Sequence, residues 1–426
     1  MTRIKMPALL AEPLAIESPT QPMDTVFESL LHSVEMAAEL GYPTEQWLSG
    51  WFLGADVVQI RRGNLAELIA FLLYSKNPAT LDGPTLRRID IMVEEACARL
   101  GFSLASGYEP EVRCMRFLHD PVLIVHRSLA QYLVACMLPR LVTWVLFRLV
   151  FGLRRAECTE TGLYYWWRAP PINVGADVPR DLLFFHGLCG FIGYVPLLSM
   201  LLFQNTRGAA LIEDESVSMC LNFERQPTRA TVVRTAVIAM ARIRQERARS
   251  SRGWDASRDR GCVLLGHSLG TCAMQWILEE APSMCGAAVF IDPIVLLLEM
   301  PNTTYGFLYR APRTVFQWFC YLWCTGEPGI AFYFRRRFWW YNNRLTAESV
   351  TDLPTLFCLS EHDDLSAVPT IHAYIKRELQ HSDILWWPGG GHTHFMGSLG
   401  KNRQIARWIE VHDQCASPSS RNCKTH

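Results

Sequence analysis

The most constraining stretch of the chain is GCVLLGHSLGTCAMQWIL, residues 261–278. An apolar run ends at Gly266, a serine stands between small residues, and helix-forming residues resume at once. This order predicts a buried strand, a sharp turn at Ser268 and a helix behind it. A serine in so tight a turn adopts a backbone conformation that is tolerable only where its neighbours bring no clashing side chain. Gly266 and Gly270 meet that condition. The turn exposes a hydroxyl at a helix N-terminus, where free N–H groups and the dipole favour developing negative charge. Gly266-His267-Ser268-Leu269-Gly270 therefore points to a nucleophile, with an ordinary glycine turn as the competing reading.

A serine is a poor nucleophile without a base, and the base needs an orienting acid. Both types follow downstream. TLFCLSEHDDLSAVP (355–369) reads as a strand ending in a loop that carries Asp363 and Asp364. ILWWPGGGHTHF (384–395) reads as a strand and a glycine-rich loop presenting His392, with His394 as an alternative deeper toward the next element. A metal reading of His392 and His394 lacks further ligands at suitable spacing, so no metal and no cofactor is expected. Upstream, FFHGLCG ends a strand at Phe185 and turns at His186-Gly187. There the Leu188 N–H can join the Leu269 N–H in facing an oxyanion on the Ser268 adduct.

Short apolar runs alternate with helices from residue 162 onward: GLYYWWRA, DLLFF, GAALIE, GCVLL, AAVFID, TLFCL and ILWW. Such alternation means a mostly parallel sheet covered on both faces. Residues 26–153 read as helical instead. Asn64 and Asp82-Gly83 are expected to mark helix starts and breaks there. Within that region 128–152 is apolar on nearly every side, interrupted by Pro139, Arg140 and Arg148. We expect it to lie in or on a membrane surface; a true span and a buried helix are the alternatives. Residues 1–25 and 414–426 are expected to be disordered. An aromatic insertion over 296–350, with TVFQWFCYLWCTGEPGIAFYFRRRFWWYNN in its middle, suggests a lid over an apolar substrate, against a plain packed helical pair.

Lys+Arg and Asp+Glu balance at 41 each, which gives no sign of a nucleic-acid partner. The scattered cysteines form no CxxC pair, and the N-terminus lacks a secretory pattern, so an intracellular protein with reduced thiols is expected. CKTH at the end lacks a prenylation pattern.

HGLCG, GHSLG, SEHDDL and GGGHTHF together resemble the oxyanion turn, nucleophile elbow, acid loop and histidine loop of the α/β-hydrolase superfamily. The resemblance covers roughly 163–410. It implies an α/β-hydrolase fold: an eight-stranded, mostly parallel sheet with helices on both faces, here over 154–413. Its acid-loop pattern places the acid at Asp363, with Ser360 departing from the usual glycine and Leu365 as the hydrophobic position. Asp364 fits less well, and Asp292 competes because some lipases carry their acid after that strand. The expected activity is hydrolysis of a lipophilic carboxyl ester, thioester or lactone through Ser268, Asp363 and His392. Acyl transfer to an alcohol and an inactive membrane-associated scaffold are the alternatives; no H-x-x-x-x-D acyltransferase pattern occurs.

Overall fold

The computed structural model describes residues 3–5, 21–125, 127–170, 179–203, 207–219, 226–250 and 259–415. The chain forms two compact units: Met1–His126 with Leu296–Arg344 and Asp364–Glu378, and Arg127–Val295 with Leu345–Asp363 and Leu379–His426.

In the first unit, four helices lead: α1 (Met23–Glu39), α2 (Thr44–Trp51), α3 (Arg62–Tyr74) and α4 (Gly83–Leu100). Asp82 caps α4 by accepting the Thr85 N–H, and Gly101 closes it in a left-handed conformation that costs glycine little. The expected start at Asn64 is displaced: α3 begins at Arg62, and Asn64 is buried. Its carboxamide accepts the N–H groups of Arg61 and Glu109 and donates to the carbonyls of Glu109 and Val112, bracketing the stretch after α4. That stretch contains no regular helix, contrary to the expectation of helix up to residue 153.

Disorder over 1–25 is corrected at its described positions. Arg3–Lys5 (β1) pairs antiparallel with Leu123–Val125 (β2), and α1 already begins at Met23, with Asp24 ion-paired to Arg88. Residues 1–2 and 6–20 lie outside the described residues, as do 416–426 of the expected tail. Much of the aromatic insertion shares a core with these helices. Trp47 and Trp51 both donate their indole N–H to the Glu299 carbonyl, and Trp340 donates to the Leu72 carbonyl.

The second unit is built on eight strands: β3 (Arg154–Glu157), β4 (Tyr164–Arg168), β5 (Leu182–Phe185), β6 (Ala209–Glu213), β7 (Cys262–His267), β8 (Cys285–Ile291), β9 (Thr355–Ser360) and β10 (Asp383–Trp387). Their order across the sheet is β3-β4-β6-β5-β7-β8-β9-β10. β4 runs antiparallel to both β3 and β6, and the remaining pairs are parallel. This is the α/β-hydrolase fold, with β7 central. Its inner strands β5, β7, β8 and β9 are largely apolar because both sheet faces are covered there. Leu182, Leu211, Val263, Leu265 and Val289 join a core with Leu197, Leu201, Ile405 and Ile409 from the helices Val195–Leu202 and Leu399–Cys415. The helices Arg229–Ser250 and Gly270–Glu280 pack against β6 and β7, respectively. The charged strand β3 was missed from sequence, since RRAE shows no apolar run.

The apolar stretch forms one helix, α5 (Leu129–Val150), long and apolar enough to cross a membrane. It contains π turns at Leu133–Met137 and Leu146–Val150. Only Thr143 and Phe147 of α5 are buried. Phe147 sits in the core, edge-on to Trp166 with ring centroids 5.2 Å apart.

Buried Arg168, at the end of β4, ties this region together. Its guanidinium donates to the carbonyls of Phe151 just beyond α5 (2.7 Å), Leu202 at the end of the following helix (2.9 Å) and Arg207 before β6 (3.1 Å). Arg168→Leu should leave three carbonyls without their donor and destabilise the unit by about 3 kcal/mol, read as a lower urea midpoint at constant m-value. An unchanged midpoint would mean that these carbonyls find other donors.

Candidate active site

Ser268 has φ +52°, a left-handed backbone at a residue with a side chain. The geometry explains both flanking glycines. A Cβ on Gly270 would lie 2.4 Å from the Phe185 carbonyl oxygen and 2.7 Å from that of His186; one on Gly266 would lie 2.6 Å from Met274 Sδ. The helix Gly270–Glu280 can therefore close onto the end of β5 only if position 270 lacks a side chain. The elbow is fastened by the Ser268 N–H to the Ile291 carbonyl (3.0 Å) and by the Thr271 N–H to the Ser268 carbonyl (3.0 Å).

Three of the sequence-selected residues meet here. Ser268 Oγ lies 2.9 Å from His392 Nε2, and His392 Nδ1 lies 2.8 Å from Asp363 Oδ2. All three are buried. With Nδ1–H donating to the carboxylate, Nε2 presents its lone pair to the serine hydroxyl. The acid and histidine loops are joined by the His362 N–H donating to the Gly390 carbonyl at 2.7 Å. His394 is exposed, and its Nδ1 accepts the Gly391 N–H at 3.0 Å, so it braces the loop.

The competing acids are separated by their contacts. Asp364 is exposed and ion-paired with Arg310 at 3.2 Å, with Gln317 donating to it as well. Asp292 is buried with φ +39°, and its two oxygens accept the N–H groups of Ser360 (3.1 Å) and Thr393 (3.2 Å). It clamps the end of β8 to β9 and to the histidine loop. Burial pushes its carboxyl up to about 6.

Four neighbours were not singled out from sequence as site residues: His186, Tyr194, Asp214 and His267. The Gly187 N–H donates to the Tyr194 hydroxyl, which in turn shares a hydrogen bond with His267 Nδ1, each at 2.7 Å. His267 Nε2 has no hydrogen-bond partner among the described residues and faces Asp292 Oδ2 at 3.9 Å. His186 Nδ1–H donates to the Gly187 carbonyl at 2.6 Å, while its Nε2 accepts the Asp214 N–H at 3.0 Å. In a trans peptide the carbonyl and the next N–H point oppositely, so holding the Gly187 carbonyl orients the Leu188 N–H. Among the described residues, neither the Leu188 nor the Leu269 N–H has a protein acceptor. The signal for this brace was the His-Gly pair after β5, but its partners are distant in the chain.

His267, Asp292 and His392 place possible metal-ligand atoms within 4.8 Å of one another. However, both Asp292 oxygens accept backbone N–H groups and both His392 nitrogens are engaged. Only His267 Nε2 remains to offer an ion, so this donor set does not suit a resident metal.

No protein-family model and no curated protein matches the sequence. Among solved structures, the chain is similar to a membrane phospholipase A described as a bacterial virulence factor, at 14% identity and TM-score 0.43, covering 66% of this chain and 94% of that one. It is also similar to a proline iminopeptidase from Mycobacterium smegmatis (14% identity, TM-score 0.41, 62% and 100% covered). A carboxylesterase from Bacillus subtilis is a third (11% identity, TM-score 0.38, 66% and 99% covered). The class rests on this chain's own strand order and elbow.

Burial, and then the nearby His392, hold the His267 imidazole well below its ordinary titration range. The unfolded chain therefore binds more protons at this residue below about pH 6.5, and the contribution is fully present above that pH and lost as pH falls. His267→Gln should lose less stability than the parent between pH 7 and pH 5 in urea titrations. Parallel pH profiles would contradict a buried neutral His267.

Proposed function

We propose that the chain is a serine hydrolase that cleaves a lipophilic carboxyl ester, thioester or lactone through an acyl-enzyme on Ser268. The observation that carries this reading is one imidazole, His392, bridging Ser268 Oγ and Asp363 Oδ2. Nε2 takes the hydroxyl proton as Oγ bonds to the acyl carbon. Asp363 keeps the imidazole in the required tautomer and stabilises the imidazolium. The carbonyl's electron pair moves onto its oxygen, which the Leu188 and Leu269 N–H groups receive. As the carbonyl reforms, the bond to the leaving group breaks and Nε2–H protonates it. Water, activated by the same nitrogen, then adds to the acyl carbon and releases the acid, returning the proton to Ser268.

We also infer that α5 docks on a lipid surface. It carries no acidic residue and only two charges, Arg140 and Arg148, both exposed. Leu129, Val134, Met137, Leu141 and Leu149 are each at least 60% exposed, an apolar face too continuous for a helix facing water. Thr143 and Phe147 keep the opposite stripe on the protein, which favours a helix lying flat, with its arginine stems reaching headgroups, over one surrounded by lipid.

The nucleophile and acid are tested by steady-state kinetics on a panel of acyl chain lengths and lactones. Ser268→Ala should abolish turnover with folding intact. Asp363→Asn should lower kcat roughly 10³–10⁴-fold. Asp292→Asn should cost far less, because Asp292 bonds the histidine loop's backbone and not the imidazole. If Asp292→Asn is the crippling change, the acid assignment is wrong.

A further inference from the structure

A cavity of about 430 Å³ lies between α5 and the turn that follows the Leu188 N–H. On the α5 side it is lined by Ala135, Met137, Leu141 and Trp144. Facing them are Trp166 from β4 and the turn residues Cys189, Gly190, Phe191 and Ile192. Cys189 and Gly190 have φ +70° and +75°, and the Cys189 N–H is held by the Val217 carbonyl at 2.9 Å. These consecutive left-handed residues carry the chain from the oxyanion turn straight into the cavity wall. The π turn at Leu133–Met137 lies on the other wall, where local widening of a helix commonly accompanies a function.

The wall chemistry selects the occupant. Four charges line the cavity, Arg140, Arg155, Glu213 and Glu215, and they satisfy one another. Arg155 lies 2.9 Å from both glutamates, and Arg140 lies 3.8 Å from Glu215. A balanced cluster holds no surplus charge for an anionic or cationic ligand, and the remaining wall is largely aliphatic and aromatic. An uncharged hydrocarbon chain fits that wall, with burial worth about 25 cal/mol per Å² of apolar surface. Met137, Leu141 and Trp144 both line the cavity and are at least 48% exposed, so it is continuous with the apolar face of α5.

We infer that this cavity is the subsite for the hydrocarbon chain of a membrane-borne ester, entered from the lipid surface beneath α5, with the chain's carbonyl end toward Leu188 and Ser268. The inference rests on the serine hydrolase reading and names its substrate class: esters of a long unbranched chain drawn from a bilayer.

The test uses the full chain with Ser268→Ala, which cannot turn over, on phosphatidylcholine–phosphatidylglycerol vesicles containing a palmitoyl ester with a diazirine on its chain. After photolysis, peptide mapping should place adducts at Trp166 or at Phe191–Ile192, and excess unlabelled palmitoyl ester should remove them. Adducts confined to the outer face of α5, at Leu129, Val134 and Leu149, would overturn the subsite and leave only a lipid contact. In the active chain, Ala135→Trp, which fills the cavity from α5, should lower kcat/KM for a palmitoyl ester at least tenfold more than for an acetyl ester. An equal effect on both esters would also overturn it. The two readings fail separately. Cavity adducts without turnover by the parent would sink the hydrolase reading and leave the chain site standing. Turnover with adducts only on the outer face would do the reverse.

Discussion

The left-handed backbone at Ser268 is the constraint on which the rest of the site depends. Such a conformation costs on the order of 1–3 kcal/mol at a residue with a side chain and persists only where its surroundings over-determine it. Here they do. The Ser268 N–H is tied to the end of β8, and the following helix rests its Gly270 against the carbonyls of Phe185 and His186. That close approach brings the elbow beside the end of β5, where the chain turns through Gly187 and Leu188. A side chain at 270 would separate the helix behind Ser268 from the turn at Gly187 and Leu188 even with Ser268, His392 and Asp363 unchanged.

Around the elbow, polar groups hold one another by their backbones. Asp292 holds both the acid strand and the histidine loop, His186 holds the carbonyl of Gly187, and Tyr194 links the Gly187 N–H to His267. These contacts fix where His392 and the Leu188 N–H sit. Buried networks of this kind keep a unique geometry only while each member is satisfied, because an unpaired buried group is costly. Among the described residues His267 Nε2 is the member of this network without a partner, and burial disfavours the charged form of that imidazole.

The legibility of the sequence was uneven for physical reasons. Ser268, Asp363 and His392 could be picked out because each follows an apolar strand, and the tight turn at Ser268 demands its glycines. The choice between Asp363 and Asp292 could not be made from residue type, since both follow sheet strands; only the contacts distinguish an acid on the imidazole from one on the loop's backbone. Tyr194 and His267 lie 73 residues apart, and their pairing has no local signature. β3 was hidden because its charged residues lie at the sheet edge, where strand pairing needs no apolar run. The packing of Trp47 and Trp51 on Glu299 joins residues about 250 apart in sequence, so the insertion's place beside the N-terminal helices could not be read locally. α5 was legible as apolar, but the single buried stripe through Thr143 and Phe147 emerged only from its packing.

The central claim is that Ser268 is a nucleophile activated by His392, and covalent capture tests it most directly. The account predicts that a fluorophosphonate reacts once per chain, that peptide mass spectrometry finds the adduct on Ser268, and that His392→Ala abolishes it in a folded protein. Labelling of a different serine, no labelling of the parent, or undiminished labelling of Ser268 in the His392→Ala chain would contradict it.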